Sequence, residues 1–134
     1  MGVAVEEVAQ TASMILDSNI VIGYLNGDES IRSVLHVWRE AGTVLFISHI
    51  SVVEALSSPA LFHDDIVRVE RFLSDFIIIP LDMDISRRAA ALRRSHKLGV
   101  PDAIIVASAL ANHLPLATRD KKIRSIPNIV FADI

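Results

Sequence analysis

The sequence contains no cysteine, no long apolar run and no excess of positive charge. The absence of Cys among its 134 residues excludes disulfides, zinc–thiolate sites and cysteine nucleophiles. No stretch approaches the roughly 18 apolar residues of a membrane span. The N-terminus also lacks the basic region and apolar core of a signal peptide. We therefore expect a cytoplasmic protein that has no membrane association.

Glycine, proline and aromatic residues are scarce as well. The chain has five Gly, five Pro and 5% aromatic residues, while 51% of its residues are hydrophobic. This composition predicts a core of aliphatic side chains, as sheets covered by helices require. The net charge of −3 predicts no general phosphate-binding surface. Acids gathered in one cleft could still hold metal ions, whose positive charge a sequence average hides.

Short apolar strands alternate with helical patterns from Met14 onward, at a length that fits one domain. Single helices between strands imply right-handed crossovers and a parallel sheet. We therefore expect an α/β domain over residues 14–134, preceded by a leader at 1–13 that shows no regular pattern. The strands are predicted at 14–16, 43–47, 76–79, 114–118 and 128–131, and the main helices at 18–25, 30–41, 48–56, 62–73, 83–98 and 102–112.

Four acidic residues lie where such a sheet would place a ligand. Asp17 and Asp120 follow strands, whose carboxyl ends form the binding face of a parallel sheet. Asp102 starts the most apolar helix, and Glu54 lies within an apolar helix, where an unpaired carboxylate would be costly. Helix capping is the structural alternative for Asp17, Asp102 and Asp120. Together the four predict a carboxylate pocket for Mg²⁺ or Mn²⁺, ions that prefer oxygen ligands and support phosphodiester hydrolysis.

Each of these acids stands in a short motif. The motifs are Leu16-Asp17-Ser18-Asn19-Ile20, the run from Ile47-Ser48 through Ser51 to Glu54, Gly99-Val100-Pro101-Asp102-Ala103 with its apolar helix, and Leu116-Ala117-Thr118-Arg119-Asp120. In this order, over Met14 to Phe131, they resemble the PIN-domain ribonucleases, and among them the VapC-like toxins of toxin–antitoxin modules. The family usually has Thr where this chain has Ser18, and it often has Asn or another residue near the place of Asp120.

The resemblance implies a fold, a site and a set of partners. The fold would be an α/β/α sandwich with a five-stranded parallel sheet. The activity would be metal-dependent endoribonuclease cleavage of transfer or ribosomal RNA, inhibiting translation, with Mg²⁺ or Mn²⁺ as cofactor. An antitoxin protein would cover the acidic cleft, and the protein would form a homodimer. The implied catalytic and metal-binding residues are Asp17, Glu54, Asp102 and Asp120, supported by the polar groups of Asn19 and Thr118.

One helix of the sequence, at 83–98, is rich in basic residues. They are either RNA contacts, which position phosphates without reading sequence, or a solvated helix face. The residues are Arg87, Arg88, Arg93, Arg94 and Lys97.

Two other functions compete with a nuclease. A PIN-like module could bind RNA or protein without cleavage, although it would be expected to lose central acids that this chain has. A phosphatase could instead use Asp82 and Asp84, which follow the strand at 76–79. A zinc site is not indicated, because no two of the five His stand at the four-residue helical spacing that such a site uses.

Overall fold

The computed structural model describes residues 12–134. Residues 1–11 of the predicted leader lie outside this range, and Ser13 belongs to the first strand. In chain order the elements are β1 (Ser13–Leu16), α1 (Ser18–Leu25), α2 (Glu29–Glu40), β2 (Val44–Ser48), α3 (His49–Leu56), α4 (His63–Leu73), β3 (Ile77–Ile79), α5 (Met83–Ser95), α6 (Val100–Ala111), β4 (Leu116–Ala117) and α7 (Lys121–Arg124). The bounds follow the prediction closely, except that α5 ends at Ser95 rather than Leu98, α6 begins at Val100 rather than Asp102, and the strand predicted at 114–118 is only Leu116–Ala117.

The sheet is parallel throughout and has the strand order β3-β2-β1-β4. The first strand is therefore central, and the last strand pairs directly with it. The fifth strand predicted at 128–131 is reduced to a single parallel bridge between Leu116 and Phe131. Asn128, at the start of that segment, has a φ of 67°. Asn128 therefore belongs to the preceding turn, and the segment after it bonds only to Leu116 of the two-residue β4. The predicted parallel α/β fold is confirmed, with four full strands in the described chain.

Each face of the sheet has its own apolar cluster. Alternate residues of β1 point to opposite faces, so Ile15 joins one cluster while Met14 and Leu16 join the other. The first cluster is built largely from α6, whose residues 103–109 are all buried. The second cluster packs α1, α2 and α4 on the opposite face. The sheet is thus flanked by helices on both sides, as the nearly all-apolar sequence of α6 predicted.

Local signals set the ends of several helices. The Asp28 carboxylate accepts hydrogen bonds from the backbone N–H groups of Ser30 and Ile31 at the start of α2. Gly27 and Gly42 follow the ends of α1 and α2 with φ values of 84° and 77°, which glycine adopts without strain. No helix within residues 12–134 is long and apolar enough to cross a membrane.

Candidate functional site

Asp17 lies at the carboxyl end of the central strand and is almost completely buried, with 1% of its surface exposed. It occupies the N-cap position of α1, but its side chain makes no capping hydrogen bond. Instead the Thr118 hydroxyl donates to Asp17 Oδ2 at 2.7 Å. Thr118 follows β4, and its Oγ1 also accepts a hydrogen bond from the backbone N–H of Asp120 at 3.0 Å. One hydroxyl therefore connects the two acids that follow neighbouring strands.

Glu54 is half-buried on α3 and is partnered by a serine. The Ser18 hydroxyl donates to Glu54 Oε1 at 2.7 Å, and Ser18 Oγ lies 2.7 Å from Ser51 Oγ. Both serines are buried. Ser18 was not among the predicted site residues, although the three-residue spacing of Ser51 and Glu54 places these two on one helix face and was a usable signal.

Asp102 and Asp120 differ in their local roles. Gly99 occupies the N-cap of α6, and Asp102 lies in the first turn without a capping hydrogen bond. Asp120 does cap α7, because its Oδ1 accepts from the N–H groups of Lys122 and Ile123 at 2.8 and 3.2 Å. Helix capping therefore accounts for Asp120 but not for Asp17 or Asp102.

The four acids share one electrostatic environment. Burial raises the pKa of Asp17, and the negative charges of Asp102 and Asp120 raise it further, against the lowering effect of the Thr118 hydrogen bond. Burial also raises the pKa of Asp102, and Asp120 and Glu54 add to that effect, whereas Lys122 opposes it. Asp102 is therefore within electrostatic range of the other three acids, each of which stands on a separate segment of the chain.

The donor set suits a hard divalent cation in its chemistry. Carboxylate oxygens are the ligands that Mg²⁺ and Mn²⁺ prefer, and a cation would offset the burial of charge and the added repulsion that together raise the pKa values of Asp17 and Asp102. Within residues 12–134 no three Asp, Glu or His side chains are already arranged closely enough to hold a metal ion. The residue types and charges fit such an ion, and the side chains would have to draw together around it.

The remaining predicted site residues lie around this cluster or away from it. Asn19 is exposed, and its side chain makes no hydrogen bond with any described residue, whereas Ser18 bonds to Glu54. Asp82 caps α5 by accepting from the Ile85 N–H at 2.8 Å. The five basic residues at 87–97 are all exposed. Among them, Arg88 pairs with Asp84 at 3.2 Å.

An open groove of about 760 Å³ lies beside Glu54, between α1, α3 and α4. Apolar side chains such as Leu25 and Val69 line part of it, Arg32 adds positive charge, and Arg68 pairs with Asp65 of the same lining at 3.6 Å. The groove gives a large molecule access to one side of the acid cluster.

The parallel sheet and the acids near its carboxyl edge define an α/β protein with a group of electrostatically coupled acids. The PIN domain family model matches residues 14–129, and the chain belongs to this family. Proteins of the family generally use a divalent metal, and its VapC toxins are typically nucleases.

Solved structures support the same relationship. A toxin–antitoxin complex from Klebsiella pneumoniae is 35% identical over 87% of this chain and 95% of that chain, with a TM-score of 0.76. VapBC2 from Rickettsia felis, bound to a DNA fragment from its promoter, is 22% identical over 90% and 97%, with a TM-score of 0.76. DNA-bound VapBC from Salmonella typhimurium is 21% identical over 92% and 98%, also at 0.76. The last two support the fold alone. A comparison with curated proteins gave no significant match.

The predicted resemblance to the PIN-domain family, and within it to VapC-like toxins, is confirmed. Together, family membership and the structural neighbours support a VapC-type toxin nuclease.

Proposed function

We propose that this protein is a metal-dependent endoribonuclease and the toxin of a toxin–antitoxin pair, with Asp17, Glu54, Asp102 and Asp120 as its metal-binding and catalytic residues. The observation that supports the proposal is the electrostatic proximity of these four carboxylates, with Asp102 in range of the other three. Asp17 and Asp102 have raised pKa values partly because of their acidic neighbours. Such stored repulsion has no structural benefit, but it favours the binding of a cation.

Residues of this chain hold individual carboxylate oxygens of such a site and leave others free of hydrogen bonds from described residues. Mg²⁺ or Mn²⁺, when bound, supplies positive charge for the phosphate and lowers the pKa of water. Thr118 holds one oxygen of Asp17, Ser18 holds one oxygen of Glu54, and the first turn of α7 holds one oxygen of Asp120. No described residue makes a hydrogen bond to Glu54 Oε2 or Asp120 Oδ2, so each of these two acids keeps one oxygen for a ligand.

RNA would be held by positive charge outside the acid cluster. The exposed basic residues of α5 and the following turn, at 87–97, are the candidates, because the acids themselves repel phosphate. Transfer or ribosomal RNA is the proposed substrate, since cutting either one inhibits translation.

The proposed partner is a small antitoxin protein. The Klebsiella pneumoniae relative is part of a toxin–antitoxin complex. On this chain, a partner that covers the acid cluster and the groove beside Glu54 would block access of RNA. We therefore propose that the antitoxin neutralises the nuclease by occupying this cleft.

The first experiment is cleavage of a mixed transfer and ribosomal RNA pool by purified protein with Mn²⁺, with Mg²⁺ and with EDTA. We expect discrete products that require a metal and that disappear with Asp17→Asn. This variant keeps a carbonyl oxygen for the Thr118 hydroxyl, so circular dichroism should show an intact fold. Asp82→Asn is the matched control, because asparagine also caps helices and should leave cleavage unchanged.

Each alternative function has its own outcome. RNA binding without cleavage, by a folded protein free of antitoxin and under every metal condition, would favour a non-catalytic module. Phosphomonoester hydrolysis that is lost in Asp82→Asn would instead favour a phosphatase. Metal-dependent cleavage that survives Asp17→Asn would contradict the proposed site even though the protein is a nuclease.

A further inference from the structure

Two buried serines connect helices α1 and α3 at the acid cluster. Ser18 begins α1, and its hydroxyl lies 2.7 Å both from Glu54 Oε1 and from Ser51 Oγ on α3. Ser18 is 3% exposed and Ser51 is fully buried. Water therefore cannot readily replace either partner, and loss of one hydroxyl would leave the other group with an unmet hydrogen bond.

Counting hydrogens fixes the direction of this pair of bonds. Each serine hydroxyl has one hydrogen to donate, and an ionised carboxylate only accepts. The Ser18 hydrogen must therefore point to Glu54, so that Ser18 Oγ accepts the hydrogen of Ser51. The result is a directed chain from Ser51 through Ser18 to Glu54, in which each bond polarises the next.

This chain of hydrogen bonds restrains the flexible side chain of Glu54. Glutamate has several rotatable bonds, and its freedom must be lost when it takes up a fixed ligand geometry. The Ser18 bond engages Oε1 before any ligand arrives and leaves Oε2 without a hydrogen bond from the described residues. We infer that Ser18 is a positioning residue, oriented by Ser51, which holds the Glu54 carboxylate in place for the cation. The inference rests on the proposed function.

The test is the affinity of the purified protein for Mn²⁺, measured by titration calorimetry without RNA. Removal of an outer group that orients a ligand typically costs 10- to 100-fold in metal affinity, so we expect Ser18→Ala to weaken binding by about 10-fold. Ser18→Thr keeps the hydroxyl and should bind Mn²⁺ nearly as well as the wild type. Ser108→Ala is the matched control, because Ser108 is equally buried and donates to Ile104 O within α6, away from the acids.

A double-mutant cycle tests whether Ser51 affects metal binding through its hydrogen bond to Ser18 or independently through packing. If Ser51 acts only through Ser18, Ser51→Ala should weaken Mn²⁺ binding in the wild type but cause no further loss in the Ser18→Ala background. Additive losses would overturn the directed chain. If Ser18→Ala fails to fold, Ser51→Ala alone still tests the inference, since unchanged affinity in a folded variant would contradict it.

The outcomes also distinguish this inference from the proposed function. If the wild type binds Mn²⁺ and cleaves RNA while Ser18→Ala binds Mn²⁺ as tightly as Ser108→Ala, only the positioning role is overturned. A lower melting temperature in Ser18→Ala with unchanged affinity gives the same conclusion, because the serine would then be structural. If the wild type neither binds Mn²⁺ nor cleaves RNA, the proposed function fails and the inference fails with it.

Discussion

At the scale of single residues, Thr118 has the most exacting hydrogen-bonding role in the acid cluster. Its hydroxyl donates to Asp17 and accepts from the backbone of Asp120. Thr118→Val keeps the side-chain shape but leaves a buried carboxylate without its donor. We expect the free energy of unfolding to fall by about 1–3 kcal/mol and the pKa of Asp17 to rise further, since the Thr118 bond lowers it.

Urea denaturation measures this stability change. Thr118→Ser keeps the hydroxyl and is the control that should remain near the wild type. A valine variant as stable as the wild type would contradict the importance of this hydrogen bond.

Asp102 should oppose the stability of the metal-free protein. Burial and the charges of Asp120 and Glu54 raise its pKa, and it makes no capping bond in α6. Asp102→Asn removes a repulsive charge, so in EDTA we expect a higher melting temperature, by about 2–4 °C, at neutral pH. In saturating Mn²⁺ the wild type should instead have the higher melting temperature. A clear fall in melting temperature in EDTA would indicate that Asp102 is a structural residue instead.

At the scale of elements, the packing of α1 on α2 depends on a glycine. A Cβ at Gly23 would lie 2.5 Å from the Cδ1 of Ile31, which is 3% exposed within the apolar cluster. Alanine improves helix propensity, but overpacking in a filled core costs about 1–3 kcal/mol. We therefore expect Gly23→Ala to destabilise the protein.

The Ile31→Val background gives the internal control for this prediction. Valine lacks the Cδ1 atom, so Gly23→Ala should become neutral or stabilising there when measured by thermal unfolding. An equal loss in both backgrounds would show that the clash is not the cause.

Helix α5 carries the proposed RNA contacts. Arg87 and Arg94 are exposed, and the structure shows no ion pair between either one and any described residue. Each phosphate contact that is lost lowers the salt dependence of log K by about 1. We expect Arg87→Ala and Arg94→Ala to weaken RNA binding and reduce this slope without changing kcat. Arg71→Ala, an exposed arginine on α4, is the control, and an equal effect there would leave α5 with no special role.

The sequence predicted elements best where one local signal was strong. The apolar composition of α6 predicted its burial directly, and the acids at strand ends predicted their convergence. Ser18 was not among the predicted site residues, because its contact with Glu54 depends on the tertiary packing of α1 against α3, which local sequence does not specify. The supporting role of Asn19 stays a prediction. The strand predicted at 128–131 forms a single bridge because its partner β4 is only two residues long, and the length of a partner strand cannot be read from the segment's own sequence.

At the scale of the whole molecule, the raised pKa values predict a pH dependence of stability. Asp17 and Asp102 have native pKa values above their ordinary value of 3.8. Between pH 3.8 and each raised pKa, the native state binds more protons than the unfolded state. The free energy of unfolding contributed by these two carboxyl groups therefore falls as pH rises through this range, and the contribution is fully lost above the raised pKa values.

Melting curves in EDTA across this range test the sign of the effect. Relative to a variant that carries both Asp17→Asn and Asp102→Asn, the wild type should lose melting temperature as pH rises through the window and stay at a constant difference above it. A wild type that gains stability relative to the variant over the same range would show that the carboxylates are stabilised by the fold.

The pairing of the central strand with the last one has a consequence for the newly made protein. Asp17 is among the first described residues to leave the ribosome, yet its hydrogen-bond donor Thr118 follows 101 residues later. A nascent chain can therefore hold three of the four acids and still lack the strand that fixes the first. Under the proposed function, we therefore expect a nascent chain that has not yet reached Thr118 to be inactive in cleavage.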